Sequence, residues 1–188
     1  AGAPLSLDEE AATLRALEAL TGRAVPFDPL ALGADVPVCL SPTAARMQGI
    51  GEAVTPVRLP PLAAVLVNPG VPLPTGAVFA GLDSRDNPAM TGFPPPAEPG
   101  ALVRWLATQR NDLEAAAIAQ QPVVARVLDA LGDALLARMS GSGATCFGLY
   151  PDAASARAAA DRIARVHPQW WTVPCTLASA PGSAPSSV

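Results

Sequence analysis

The chain has 188 residues, of which 50% are hydrophobic and 15% are charged, and its net charge is −4. This length is enough to bury a sizeable core, and the composition excludes intrinsic disorder for the body of the chain. Neither nucleic-acid binding nor a membrane span is expected, because the sequence has no cluster of Lys and Arg and no apolar run approaching about 18 residues.

Short elements are predicted in the first third of the chain. Ser6 and the apolar spacing that follows it predict a capped helix over residues 7–20. Residues 36–40 and 45–50 are predicted as two short strands on either side of a proline turn. An apolar run over residues 62–68 predicts a buried strand.

The middle of the chain alternates between a proline-rich loop and helical patterns. Residues 83–100 are polar and rich in proline, which predicts a loop. Residues 102–110 are predicted as a helix, and a second helix restarts at Asn111 or Asp112. Residues 123–138 predict the longest helix, because apolar side chains recur there at helical spacing.

The C-terminal pattern is strand, helix, strand, over residues 144–150, 153–166 and 170–177. Over residues 58–177 this alternation is of the α+β class and predicts a split βαβ, ferredoxin-like sandwich. Residues 178–188 are rich in Ser, Pro and Gly and predict a disordered tail.

The segment Ser140-Gly141-Ser142-Gly143-Ala144-Thr145, here called the glycine–serine loop, carries the strongest local signal. Two glycines alternate with two serines, so the side chains occupy little space and the backbone can come close to another group. Successive N–H groups in such a loop can form a concavity that binds anions. A tight structural turn between a helix and a strand explains the same residues, and the sequence by itself leaves both interpretations open.

Two further residues could carry chemistry. Asp35 lies in a predicted loop between Gly33 and Val36, where its carboxylate could take the proton of a hydroxyl that attacks a phosphoryl group. An aspartate in a loop also commonly hydrogen-bonds neighbouring N–H groups, and this alternative stays open. Thr75 is placed to cap a short helix that runs to residue 82.

The remaining reactive side chains are predicted to be structural. His167, the single histidine, precedes a proline at a helix end, which favours a role at the helix C-terminus over catalysis. Cys39, Cys146 and Cys175 lie in apolar segments and lack the spacing of metal ligands. They predict buried, reduced thiols in a cytoplasmic protein.

Several segments, taken in order, resemble the 4-diphosphocytidyl-2-C-methyl-D-erythritol kinases of the GHMP kinase superfamily. The three most specific are Leu32-Gly33-Ala34-Asp35-Val36-Pro37, Arg110-Asn111-Asp112-Leu113 and the glycine–serine loop. The resemblance covers residues 11–177 and includes Gly49-Ile50-Gly51-Glu52 and Asn68-Pro69-Gly70-Val71-Pro72-Leu73-Pro74-Thr75. The order and spacing of these segments identify the family.

The resemblance implies a fold, an activity and a set of roles. Residues 58–177 would form the C-terminal domain of a GHMP kinase, and residues 1–57 a remnant of its N-terminal domain. The activity would be ATP-dependent phosphorylation of the 2-hydroxyl of 4-diphosphocytidyl-2-C-methyl-D-erythritol in bacterial non-mevalonate isoprenoid biosynthesis, with ATP and Mg²⁺ as cofactors. Asp35 would be the catalytic aspartate and Thr75 would lie on the substrate side. The phosphate-side loop would consist of Ser140, Gly141, Ser142, Gly143 and Thr145.

The chain departs from the family where the family has a phosphate-binding Gly-Gly-Gly-Ser-Ser run. Residues 4–8 read Pro-Leu-Ser-Leu-Asp; Pro4 donates no N–H, and Asp8, Glu9 and Glu10 would repel a triphosphate. We therefore expect an N-terminally truncated kinase with a disrupted phosphate loop, inactive by itself, with an exposed apolar patch that allows self-association. Two alternatives stay open: a catalytically dead fragment or binding module, and another GHMP kinase of the homoserine or mevalonate type.

Overall fold

The computed structural model describes residues 20, 22, 28–31, 33, 35–40, 44–90 and 98–177. The chain divides into two compact units, one formed by Pro60–Leu177 and the other by the rest of the chain. The predicted helix over residues 7–20, except for Leu20, lies outside the described residues. The altered phosphate loop and the predicted tail also lie outside them.

The described part of the first unit contains short elements. A single 3-10 turn, Pro29–Ala31, precedes helix α1, Val36–Cys39. Strands β1, Ala45–Gln48, and β2, Ala53–Pro56, then pair as an antiparallel hairpin. The hairpin turn uses Gly49 and Gly51 at positive φ, and the Glu52 carboxylate accepts a hydrogen bond from the Ile50 N–H at 2.6 Å.

The prediction of a strand over residues 36–40 is wrong, because α1 occupies this segment. The N–H groups of Cys39 and Leu40 donate to the carbonyls of Asp35 and Val36, which closes one helical turn. Pro37 lies in the first turn, where its fixed φ suits a helix and its missing N–H costs nothing. Valine and cysteine around a proline resemble a strand in sequence, but the proline starts a helix here.

The second unit contains one four-stranded sheet and five helices within its described residues. In chain order the elements are β3 Leu62–Asn68, α2 Thr75–Ala80, α3 Pro99–Ala107, α4 Glu114–Gln120, α5 Val123–Ala130, β4 Leu136–Met139, β5 Cys146–Tyr150, α6 Ala153–Val166 and β6 Trp171–Leu177. The strand order is β4-β5-β3-β6 and every pair is antiparallel. Each helical crossover therefore skips one strand, and the predicted ferredoxin-like, split βαβ sandwich is confirmed.

The main core lies between this sheet and helices α5 and α6. Val65 and Val67 of β3 and Val124 and Val127 of α5 are fully buried there. Helix α6 contributes a stripe of buried residues at helical spacing: Ala156, Ala159, Ala160 and Ile163. This stripe explains why the sequence predicts α6 within the same bounds that the structure has.

The prediction of one long helix over residues 123–138 is wrong. Helix α5 ends at Ala130, and the Leu131 N–H closes the last turn on the carbonyls of Val127 and Leu128. After a turn at Gly132, the chain becomes strand β4, which pairs with β5 from Leu136 opposite Leu149 to Met139 opposite Cys146. The apolar residues of this segment fit helical spacing, but the pairing with β5 outweighs local preference.

Candidate functional site

The glycine–serine loop connects β4 to β5, so it closes a β-hairpin and does not join a helix to a strand as predicted. The Ser140 N–H donates to the Thr145 carbonyl at 2.9 Å, and the Gly143 N–H donates to the Ser140 carbonyl at 3.0 Å. Gly141 and Gly143 have φ values of +54° and +88°, which few residues other than glycine adopt. The loop is therefore a tight turn that needs both glycines.

Three segments that the sequence keeps far apart meet at this loop. The Asn68 side-chain amide, at the end of β3, donates to the Thr145 hydroxyl at 2.9 Å. The Thr75 and Ser142 hydroxyls share a hydrogen bond of 2.9 Å. The Asn111 amide donates to the carbonyls of Met139 and Gly141 at 2.9 and 2.8 Å. The loop, residues 68–75 and residues 110–113, all of which carry the family resemblance, thus form one cluster.

Thr75 does not have the capping role that the sequence predicts. Helix α2 begins at Thr75, its N-cap residue is Pro74, and no side chain caps it. The Thr75 hydroxyl, on the first residue of α2, forms a hydrogen bond with the Ser142 hydroxyl instead. The predicted substrate-side residue therefore lies in direct contact with the predicted phosphate-side loop.

Asn111 begins a turn into α4, as the sequence predicts, but it also has a role that the sequence does not reveal. Its side-chain oxygen accepts a hydrogen bond from the Leu113 N–H at 3.0 Å, which orders the chain ahead of α4. Its amide nitrogen holds the glycine–serine loop. Asn68 was likewise missed, although its position directly after a buried strand and before Pro69-Gly70 is a signal for a side chain that orders a turn.

The backbone of the loop offers hydrogen-bond donors to a ligand. Within the described part of the chain, the N–H groups of Gly141 and Ser142 have no acceptor, and Gly141 is exposed. Two adjacent free N–H groups next to two hydroxyls match the donor pattern that a phosphate group requires. The residues present therefore fit a phosphate.

A cleft of about 670 Å³ lies next to the loop. Arg110 forms part of its wall and is held by the Asp112 carboxylate at 2.6 Å and by the Pro88 carbonyl at 2.6 Å. Phe79 is 45% exposed at the same cleft, and Arg85 is exposed there as well. The full lining consists of Phe79, Leu82, Arg85, Asn87, Pro88, Arg110, Asn111, Asp112, Leu113 and Gly141. The cleft thus combines an aromatic face with two guanidinium groups.

Asp35 lies in the first unit, where it is the N-cap residue of α1. Its carboxylate makes no capping hydrogen bond, and the residue is exposed. The structural alternative raised by the sequence, in which this carboxylate binds neighbouring N–H groups, is not seen among the described residues that follow it.

The other reactive side chains are structural. The His167 N–H caps the end of α6 by donating to the Ile163 carbonyl at 2.8 Å, and its ring stacks on Trp170 with centroids 3.7 Å apart. Burial, with the nearby Glu114 carboxylate, raises the pKa of the Cys146 thiol to about 12. Cys39 and Cys175 are half-buried rather than buried, which corrects the prediction for these two.

The described residues contain neither a metal-binding cluster nor a membrane-spanning helix. No group of three or more His, Cys, Asp or Glu side chains in the described ranges is arranged to hold a metal ion. Among the same residues, no helix has the length and apolar character needed to cross a membrane.

Comparison with known proteins agrees with the fold of the second unit. Residues 96–169 match the family model described as GHMP kinases C terminal. The second unit, with its antiparallel sheet and helices, contains all of the matched residues.

More specific similarity comes from individual relatives. The chain is 56% identical over 174 residues to a 4-diphosphocytidyl-2-C-methyl-D-erythritol kinase of Dinoroseobacter shibae and 53% identical over 171 residues to that of Ruegeria pomeroyi. These matches cover 90% and 87% of this chain and 61% of each relative, so the chain spans about three fifths of their length.

A solved structure gives the same result. The crystal structure of a 4-(cytidine 5'-diphospho)-2C-methyl-D-erythritol kinase superposes with a TM-score of 0.64 at 32% identity, covering 87% of this chain and 62% of that one. The resemblance to 4-diphosphocytidyl-2-C-methyl-D-erythritol kinases, predicted from the motifs, is thus confirmed.

Proposed function

We propose that this chain serves the ATP-dependent phosphorylation of the 2-hydroxyl of 4-diphosphocytidyl-2-C-methyl-D-erythritol. The observation that carries the proposal is the meeting of the glycine–serine loop with Thr75 and Asn111, because it joins the predicted phosphate side and substrate side in one cluster. The names of the relatives favour this substrate over homoserine or mevalonate.

In this proposal the glycine–serine loop binds phosphate through the N–H groups of Gly141 and Ser142. The hairpin and the Asn111 amide together hold the segment that carries these donors, so they need no rearrangement when charge develops on a phosphoryl group. Bound ATP supplies the phosphoryl group that is transferred. Among the described residues, no group of three or more His, Cys, Asp or Glu side chains is placed to hold a metal ion. Mg²⁺ would bind mainly through the phosphate oxygens of ATP, where it would neutralise negative charge.

The cleft beside the loop is proposed to take the cytidine diphosphate part of the substrate. The exposed face of Phe79 suits a base, since aromatic stacking contributes about 1–3 kcal/mol per base and tolerates any base. The guanidinium groups of Arg85 and Arg110 suit the diphosphate. Asp35, whose carboxylate is not used in capping, would accept the proton of the 2-hydroxyl or orient that hydroxyl.

A binding experiment tests the substrate assignment. The ¹⁵N-labelled chain would be titrated with the cytidine substrate, with homoserine and with mevalonate. We expect only the first to shift the amides of the cleft, and Phe79→Ala to weaken its binding about tenfold or more. Trp171→Ala is the matched control, because Trp171 is an exposed aromatic residue on β6 of the same unit. Equal responses to all three compounds would contradict the proposal.

Turnover by this chain is tested separately from binding, because we expect residues 4–10 to repel a triphosphate. Pro4 lacks an N–H, and Asp8, Glu9 and Glu10 carry negative charge. We therefore expect no substrate-dependent ADP release above background from the chain alone. If turnover is found, Asp35→Asn should reduce it by about 10²-fold or more, since the amide cannot accept the proton. Turnover that survives this substitution would remove Asp35 from the mechanism.

A further inference from the structure

We infer that Asn111 is a positioning residue that aims the N–H group of Ser142 at the bound phosphate, an inference that rests on the proposed function of the loop. Asn111 does not itself need to touch the ligand. It acts through the carbonyl of Gly141, which its side-chain amide holds at 2.8 Å.

The geometry of the peptide bond links this contact to the donor. The carbonyl of Gly141 and the N–H of Ser142 belong to one planar, trans peptide unit, so they point in opposite directions. When the Asn111 amide fixes the carbonyl, it also fixes the N–H on the opposite side of the same plane. That N–H has no acceptor within the described residues, so it is available to a ligand.

A second pair of contacts secures the base of the loop. β4 is an edge strand, so Met139 has a strand neighbour on one side only. On the other side, Asn111 donates to the Met139 carbonyl at 2.9 Å, and the Glu114 carboxylate accepts from the Met139 N–H at 3.0 Å. Asn111 precedes α4 and Glu114 is its first residue. Together the two side chains satisfy the backbone of the edge as a further strand would.

Flexibility of the loop makes this support necessary. Gly141 is exposed, has a φ of +54°, and a Cβ atom placed there would meet nothing within 4 Å. Packing therefore does not restrain the peptide that follows it, and glycine has the widest conformational freedom of any residue. The hydrogen bond from Asn111 is the restraint on this peptide in the described structure, beside the Thr75–Ser142 contact.

The substitution Asn111→Asp separates positioning from folding. Aspartate retains the oxygen that accepts from Leu113 N–H at 3.0 Å, so the start of α4 is preserved. It cannot donate to Met139 and Gly141 when ionised. Gln120→Ala is the matched control, because Gln120 ends α4, the helix that follows Asn111, and also donates a side-chain hydrogen bond to a backbone carbonyl, that of Ala77 at 2.9 Å.

Hydrogen exchange measured by NMR tests the positioning without any ligand. In Asn111→Asp, the Ser140 and Gly143 amides should exchange about tenfold faster than in the wild-type chain, since two hydrogen bonds that hold the loop are lost. The Leu113 amide should keep its protection, and Gln120→Ala should leave all loop amides unchanged. Loop exchange in Asn111→Asp that equals that of the wild-type chain would overturn the inference.

A titration with pyrophosphate and with Mg·ATP tests the effect on binding. We expect the Ser142 amide resonance of the wild-type chain to shift, and the shift to be lost or its midpoint raised about tenfold in Asn111→Asp. An unchanged response of Ser142 in a folded Asn111→Asp chain would also overturn the inference. A wild-type loop that does not respond would instead refute its proposed phosphate-binding role, while the exchange measurement still decides whether Asn111 orders the loop.

Discussion

A single methyl group added at Gly143 tests how closely the glycine–serine loop packs. A Cβ atom there would lie 2.7 Å from the Met139 sulfur and 3.0 Å from Cδ2 of Leu73, and the residue has a φ of +88°. The positive φ costs an L-residue about 1–2 kcal/mol. Met139 is 1% exposed, and overpacking a filled core costs about 1–3 kcal/mol more. We therefore expect Gly143→Ala to lower the free energy of unfolding by about 3 kcal/mol.

Two other glycines separate the backbone contribution from the packing contribution. At Gly141, with φ of +54°, a Cβ atom would meet nothing within 4 Å, so Gly141→Ala should cost only about 1 kcal/mol. At Gly76, inside α2 and equally open, alanine should stabilise by about 0.5–1 kcal/mol. Urea unfolding followed by circular dichroism measures all three. A loss at Gly143 no larger than that at Gly141 would refute the packing argument.

Three further expectations concern titration and capping. Because burial raises the pKa of Cys146 from 9.0 to about 12, its contribution to stability is complete below pH 9 and is lost as the pH rises toward 12. Alkylation of Cys146 at pH 8, followed by mass spectrometry, should be far slower in the native chain than in urea. Equal rates would contradict its burial. The Ser155 N–H donates a hydrogen bond to the Asp152 carboxylate at 2.7 Å and lowers its pKa, so this carboxylate stabilises α6 at a pH above the ordinary carboxyl pKa, and the effect is lost in acid. Asp152→Ala should therefore lower Tm at pH 7. A Tm deficit that persists undiminished in acid would count against the cap. Arg138→Met removes two hydrogen bonds that the guanidinium donates, to the carbonyl of Leu106 at 3.0 Å and to that of Gln109 at 2.7 Å, at and just after the end of α3. We expect it to lower the free energy of unfolding in urea by about 1–3 kcal/mol. No loss would show that these bonds merely replace hydrogen bonds to water.

The sequence predicts those elements whose local pattern and tertiary role agree. β3 and α6 have the predicted bounds. The continuous apolar run of β3 fits a buried strand, and the alanine-rich stripe of α6 fits a helix. The helix predicted over residues 131–138 is wrong because their leucines satisfy helical spacing, whereas the outcome depends on a partner strand farther along the chain. At residues 36–40 the proline in the first turn favours a helix start and outweighs the strand-like residues around it.

For the site, the sequence identifies segments but not their connections. The order of the motifs indicates which stretches belong to the site, and the loop, Thr75 and Asn111 do meet. The hydrogen bonds that join them link residues up to 77 positions apart, as between Asn68 and Thr145. No local pattern encodes such a bond, because it depends on how the sheet brings the end of β3 next to the start of β5. The role of Asn111 follows only from that arrangement.

The position of the glycine–serine loop in a β-hairpin helps to distinguish a structural turn from a ligand-binding loop. A turn that closes β4 and β5 explains the positive φ at Gly141 and Gly143 and the two backbone hydrogen bonds within the loop. It does not require hydroxyls at 142 and 145, yet these contact Thr75 and Asn68 in two other segments. The N–H groups of Gly141 and Ser142 have no acceptor among the described residues because these are the central residues of the turn that the Gly143 N–H closes on Ser140. Turn chemistry therefore accounts for the glycines and the free donors, whereas the hydroxyl contacts agree with a loop that is held in place to bind an anion.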